Sequence, residues 1–109
     1  MFHMFFCFDL KPGIPLVEFR RDFTEFTEHM RSRGLVEGSS PIGERQSDTI
    51  LDTDEERAHQ YFAIMTFRDR AQADAAVDFI QSKEEPGNGI HVRAYSKVQD
   101  PIFICWQDT

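Results

Sequence analysis

The chain of 109 residues predicts an α+β domain whose elements run β-α-β-β-α-β. Three observations carry this reading. The chain opens and closes on oily, strand-like runs, Phe2–Phe8 and Ile102–Trp106, and a third such run, Tyr61–Phe67, lies between them. Two segments with helical periodicity separate these runs. The strand-like runs are also apolar on both faces, where a half-exposed strand would alternate apolar with polar.

The first strand extends from Phe2 to Leu10 and sends Phe2, Met4, Phe6 and Phe8 to one side and His3, Phe5 and Cys7 to the other. It stops at Lys11-Pro12-Gly13, a turn signal. Pro15 suits the first turn of a helix, and Leu16, Phe19, Phe23, Phe26 and Met30 then recur at spacings of three and four, marking one apolar helix face. Arg31 and Arg33 favour the negative end of the helix dipole, and Gly34 is the expected residue just past the helix end. From Leu35 to Arg45, Gly38, Pro41 and Gly43 interrupt the pattern, so an irregular, bulged second strand is expected. Gln46 to His59 reads as a long acidic connection with a helical turn around Asp54–Ala58.

Tyr61–Phe67 is the third strand. Asp69 is placed to cap a second helix running to about Lys83, with Ala73, Ala76, Val77 and Ile80 inward. Glu84–Gly89 reads as a loop, Ile90–Val98 as a short extended piece and Pro101–Gln107 as the last strand. This order is the ferredoxin-like, split β-α-β pattern: a four-stranded antiparallel sheet with two helices on one face. One domain spanning residues 1–109 follows from the length. Two helices cannot cover both faces of such a sheet. The second face is therefore expected to meet a partner subunit, a ligand cavity or both, and two sheets closing together would make a dimeric α+β barrel.

Composition narrows the partners. A net charge of −7 with scattered Lys and Arg argues against nucleic acid and against anionic membrane. No run approaches the ~20 apolar residues of a membrane span. The oily start lacks a basic leader and a small-residue cleavage site, so the cytoplasm is the expected location. Cys7 and Cys105 sit in opposite terminal strands and read as buried thiols.

The string His3-Met4-Phe5-Phe6-Cys7-Phe8-Asp9-Leu10-Lys11-Pro12-Gly13 resembles the opening of the stress-responsive dimeric α/β-barrel (Dabb) proteins. Tyr61-Phe62-Ala63-Ile64-Met65-Thr66-Phe67-Arg68-Asp69, with the Ala-rich helix after it, is similar to their third strand and second helix. The resemblance implies the ferredoxin-like barrel and a homodimer. Related barrels include cofactor-independent monooxygenases, polyketide cyclases and proteins of no known activity. Cyclase members carry a His-Pro-x-His-like string after the second helix. Here Glu84-Glu85-Pro86-Gly87-Asn88-Gly89-Ile90-His91 stands instead, so that motif is not intact.

Among chemical candidates, His3 shares a strand face with Phe5 and Cys7, and a buried neutral imidazole there could act as a general base. The competing reading is a packed His at a dimer seam. Tyr61, Tyr95, Trp106 and His91 offer polar tips at the mouth of an aromatic cavity, against ordinary packing. His29 and His59 read as solvent-exposed. A Cys7–Cys105 redox pair needs a basic neighbour that is not evident. The acidic run from Asp48 to Glu56 lacks the glycine and distal glutamate of a calcium loop, and the four His show no metal-ligand spacing. No cofactor is implied.

The expected protein is thus a homodimer of no assignable activity that binds a small hydrophobic or aromatic molecule in a pocket formed by Phe5, Cys7, Phe103, Cys105 and Trp106. The alternative is a cofactor-independent monooxygenase, cyclase or isomerase with His3 as base and Tyr61 or His91 orienting an oxygen. A purely structural dimer with a filled second face is the third class.

Overall fold

The computed structural model describes residues Met1 to Thr109. Eight elements follow in order: β1 (Phe2–Leu10), α1 (Leu16–Ser32), β2 (Gly38–Ser39), β3 (Gly43–Glu44), β4 (Tyr61–Phe67), α2 (Arg70–Gln81), α3 (Gly87–Tyr95) and β5 (Val98–Gln107). The sheet is antiparallel with order β2-β4-β1-β5, and β3 also pairs with β4. This is a ferredoxin-like α+β fold with one more helix and one more short strand than the sequence pattern indicates. No helix is long and apolar enough to cross a membrane.

The core lies between the helices and one face of the sheet. Phe6 and Phe8 of β1, Ala63, Met65 and Phe67 of β4, and Phe19, Phe23, Phe26 and Met30 of α1 are all buried there. The expected stripe of α1 is therefore its buried face. Burial of each such Phe contributes roughly 1.5–3 kcal/mol. α1 ends as its sequence indicates: Gly34 takes φ 70°, its N–H bonds to Arg31 O at 3.0 Å and the Leu35 N–H bonds to Met30 O at 2.9 Å. That paired arrangement is a Schellman motif, which only a residue tolerant of positive φ closes without strain.

Three expectations are corrected. The Leu35–Arg45 segment forms two strands of two residues each, because Pro41 cannot donate to the ladder between them. The Asp54–Ala58 helical turn is absent: Asp54 Oδ1 instead accepts from the Glu56 N–H at 3.1 Å, and its carboxylate also holds Arg57 at 3.0 Å. A side chain that captures a nearby N–H competes with a helix for it. Ile90–Val98 is helical up to Tyr95 rather than extended, and β5 begins at Val98. The glycines of Gly87-Asn88-Gly89 disfavour a helix by propensity, but packing decides: Ala94 is fully buried, and Tyr95 meets Phe26 edge-on at 5.6 Å. Gly87 lets the chain approach the Phe79 ring closely, since a Cβ there would come within 2.7 Å of it and displace it.

Two polar side chains tie these pieces together. Asp69 caps α2 by accepting from the Gln72 N–H at 2.8 Å. Gln72, 4% exposed, accepts from the Arg68 N–H at 2.7 Å and donates to Gly34 O at 3.0 Å, joining the start of α2 to the end of α1. Lys97, between α3 and β5, pairs with the buried Asp22 of α1. Replacement of Gln72 by Leu fills the same space but leaves Arg68 N–H and Gly34 O without partners. The expected loss is about 1–3 kcal/mol of folding free energy in a urea titration; an unchanged midpoint would show that these bonds are not structural.

Candidate functional site

The helix-facing side of the sheet is not completely filled. Between it and the helices lies a cleft of about 760 Å³, and fourteen of its eighteen lining residues are hydrophobic. Its walls are Phe2 and Met4 of β1, Met65 and Phe67 of β4, Phe26 and Met30 of α1, Ala73, Ala76, Val77 and Ile80 of α2, and Phe103 and Cys105 of β5. The small side chains of Ala73 and Ala76 leave this space open along α2. The volume falls within the range of small-molecule pockets, which are likewise lined mostly by hydrophobic side chains.

Two polar side chains of α3 enter the cleft. His91 and Tyr95, one helical turn apart, lie ring against ring at 4.8 Å, and the His91 ring also meets Phe26 at 5.3 Å. Burial pushes the His91 imidazole below its ordinary 6.5, so it is neutral at pH 7 and its ring can accept a proton. Burial likewise raises the Tyr95 phenol above its usual range, so it remains an O–H donor. At the rim, Arg70 and Asp74 neutralise one another at 3.0 Å. The cleft interior is thus apolar and uncharged, with one acceptor and one donor side by side.

The opposite face of the sheet carries His3, Phe5 and Cys7 of β1, Phe62, Ile64 and Thr66 of β4, and Ile102, Ile104 and Trp106 of β5, as the register dictates. Its two ends differ. At one end Cys7 is fully buried, covered by the chain's own 45–57 connection. Arg45 pins that connection: Nε and Nη2 donate to the two Asp52 carboxylate oxygens at 2.8 Å each, Nη2 also donates to Asp54 O at 2.7 Å, and Nη1 donates to Arg57 O. Arg45 holds the Asp52 carboxyl below the usual range, Arg57 does the same for Asp54, and burial pushes the Cys7 thiol up.

At the other end His3 stacks on Trp106 at 5.0 Å and its Nε2 meets Asp108 Oδ1 at 2.9 Å, which lowers the Asp108 carboxyl. Thr66 Oγ1 lies 3.5 Å from His3 Nδ1. Hydroxyl, imidazole and carboxylate stand in the order of a hydrolase triad, but that separation is too long for proton transfer. Thr66 is also paired on both sides, with His3 and Gly38, so its flanking amides cannot form an oxyanion hole.

Of the residues singled out from sequence, the structure brings His91 to Tyr95 and His3 to Trp106 but keeps the two pairs on opposite faces of the sheet. His91 lines the cleft, Tyr61 packs on Phe8 at 5.7 Å near the far end of β4, and His3 stands on the opposite face. The expected pocket divides in the same way: Phe103 and Cys105 line the cleft, while Phe5, Cys7 and Trp106 face away from it. The reason is the register, which pairs Cys105 with Met4 and so places the two cysteines on opposite faces. Cys105 is also exposed rather than buried. His59 is buried, not solvated, with Nε2 against Asp100 O at 2.7 Å, and His29 has a buried Nε2. No three His, Cys, Asp or Glu side chains converge on a point where a metal ion could sit. The sequence marks Ala73, Ala76, Val77 and Ile80 as the inward face of α2, but nothing in it shows that this face borders a cleft, and the Arg45–Asp52 pin leaves no sequence signal.

No protein-family model matches this chain, and no curated protein matches it. Solved structures do share its fold. The Arabidopsis thaliana protein At3g17210 superposes over 100% of this chain and 96% of its own, with a TM-score of 0.76 at 8% identity. An antibiotic biosynthesis monooxygenase matches over 100% and 99%, with a TM-score of 0.60 at 15% identity. A Dabb-family protein with a ferredoxin-like fold from Mesorhizobium loti matches over 99% and 96%, with a TM-score of 0.53 at 14% identity. A dimeric ferredoxin-like protein of unknown function from Bacteroides fragilis covers 98% of the chain and 95% of its own length, with a TM-score of 0.57 at 10% identity. These likenesses establish the fold and not a reaction.

Two measurements check the site geometry. With Cys105→Ser as background, Arg45→Gln frees the connection, and Cys7 should react with a maleimide about tenfold faster or more, as loss of charged hydrogen bonds implies. Unchanged labelling would mean that other contacts hold the cover. The second concerns His91: below its ordinary 6.5 the unfolded chain takes up a proton that the folded imidazole refuses. Folding stability should therefore fall as pH drops through that value, and His91→Phe should flatten the slope.

Proposed function

We propose that this chain is a homodimeric α+β barrel protein of the cytoplasm that binds a small hydrophobic or aromatic molecule in the cleft between helices and sheet. The observation that carries the reading is the apolar cleft itself, with the neutral His91 and Tyr95 as its inner polar pair. An aromatic ring would replace water against Phe26, Met65 and Phe103, while an oxygen substituent would meet the imidazole and the phenol. The absence of an unpaired cation from the walls favours a neutral ligand over a carboxylate or phosphate.

The dimer rests on a separate observation. The chain measures 41 × 40 × 19 Å, and its thin dimension is one sheet plus one helix layer. β5 leaves Ile102, Phe103, Ile104 and Trp106 between 37% and 45% exposed, on both its faces. A long apolar edge strand of this kind invites aggregation unless another surface covers it. A second copy lying on the open face would cover Ile102, Ile104 and Trp106, while Phe103 belongs to the cleft.

A second reading is catalytic. His91, neutral and beside a phenolic donor, fits a general base acting on an enolisable or phenolic substrate, with Tyr95 orienting its oxygen. Fold-level likeness to a monooxygenase raises this reading by analogy only. Placing the base at His3 instead would require the substrate on the open face between subunits.

Calorimetric titration with 1-naphthol tests the binding site. Val77→Phe, which adds a ring to the half-exposed wall of α2, should weaken binding about tenfold or more. No saturable binding, or an affinity untouched by Val77→Phe, would reject the cleft. Exchange of acetophenone methyl protons for deuterium separates the two readings: acceleration lost in His91→Gln supports catalysis, and no acceleration leaves a binding protein.

A further inference from the structure

The most exposed large hydrophobic residues of the chain are adjacent. Ile50 is 95% exposed and Leu51 is 88% exposed. They are not on a loose tail. The Asp52 N–H bonds to Thr49 O at 3.1 Å, the Leu51 N–H bonds to Thr49 Oγ1 at 3.3 Å, and Arg45 clamps the Asp52 carboxylate from within. A turn fixed this way presents two aliphatic side chains to water at a constant position. An isolated exposed aliphatic residue needs no explanation, but two together on a pinned turn mark a contact surface.

The turn stands beside the open sheet face, because the residues that follow it, Asp52, Thr53, Asp54 and Arg57, line that face together with Phe5, Cys7 and Phe62. The face is therefore raised at its Cys7 end and bare at its His3 end, where Trp106 is 42% exposed. His3 and Cys7 are four residue steps apart along β1, about 13 Å at ~3.3 Å per step. A self-complementary interface needs both halves of each contact on one chain. Raised and bare ends on the same face meet that condition. A two-fold axis lying in the interface and running across the strands sets the raised end of each copy over the bare end of the other. An axis along the strands would drive the two raised ends together.

Resting on the dimer proposed above, we infer that Ile50 and Leu51 of each subunit are an intersubunit knob that seats on the partner's His3–Trp106 platform, completing the cover of the open face. The same placement makes Arg45 the residue that positions the knob.

The test uses the intact chain, whose single tryptophan is Trp106. Sedimentation gives the dimer Kd, and acrylamide quenching reports the exposure of Trp106 over the same concentrations. The parent should dimerise with protection of Trp106. Ile50→Asp with Leu51→Asp should raise the Kd about tenfold or more and restore quenching, since a carboxylate in place of each aliphatic side chain would have to be desolvated at the contact. Both positions are exposed in the single chain, so circular dichroism should not change; Val17→Asp, at a 67% exposed position on α1, should leave the Kd unaltered. A monomeric parent removes the dimer and this inference together, whether or not Trp106 is quenched. A dimeric parent whose double variant keeps both its Kd and its protected Trp106 removes this inference alone.

Discussion

β1 is the central constraint of this protein. It is hydrogen-bonded on both edges, to β4 and β5, and apolar on both faces, so every surface of it must be covered. Three helices cover one face and bury Phe6 and Phe8. The other face receives only a connection without regular structure, which covers its Cys7 end. Both notable surfaces follow from this imbalance. The helix layer is generous enough to leave a cleft, and the opposite layer leaves His3 and Phe5 half-buried and Trp106 exposed.

Polar side chains do the work that short elements cannot. β2 and β3 contribute two residues each and cannot by themselves fix the long segment between α1 and β4. Gln72 binds the first end of that segment to α2, and Arg45 folds the remainder over the sheet. A guanidinium suits the second task because its fork satisfies one carboxylate and two carbonyls at once. The acidic composition of the connection thus has a structural use: Asp52 and Asp54 are partners of arginines within it. Their depressed carboxyls contribute stability above the ordinary aspartate range and lose it as pH falls below.

The site was legible only in part, and the failures have definite causes. His91 and Tyr95 stand one helical turn apart, which puts them side by side only if their segment is a helix. Gly87-Asn88-Gly89 argues locally for a loop, and tertiary packing of Ala94 and Tyr95 overrides it. His3 looked central because its strand is oily, yet the alternation of β1 that was read correctly is what separates it from the cleft. Grouping Phe5 and Cys7 with Phe103 and Cys105 required the β1–β5 register, and a shift of one residue exchanges the faces.

The sequence by itself determined the coarse β-α-β-β-α-β plan, without α3 or the split of the second strand, together with the buried stripe and glycine end of α1, the cap of α2 and the two-sided character of β1. These depend on local spacing and on single residues with strong conformational preferences. Only the tertiary structure decided which face holds the cleft, that Ala73 and Ala76 open it, that α3 is a helix, and that Arg45 seals Cys7. Each of those depends on register or on contacts between residues far apart in the chain, and neither periodicity nor propensity encodes such distances.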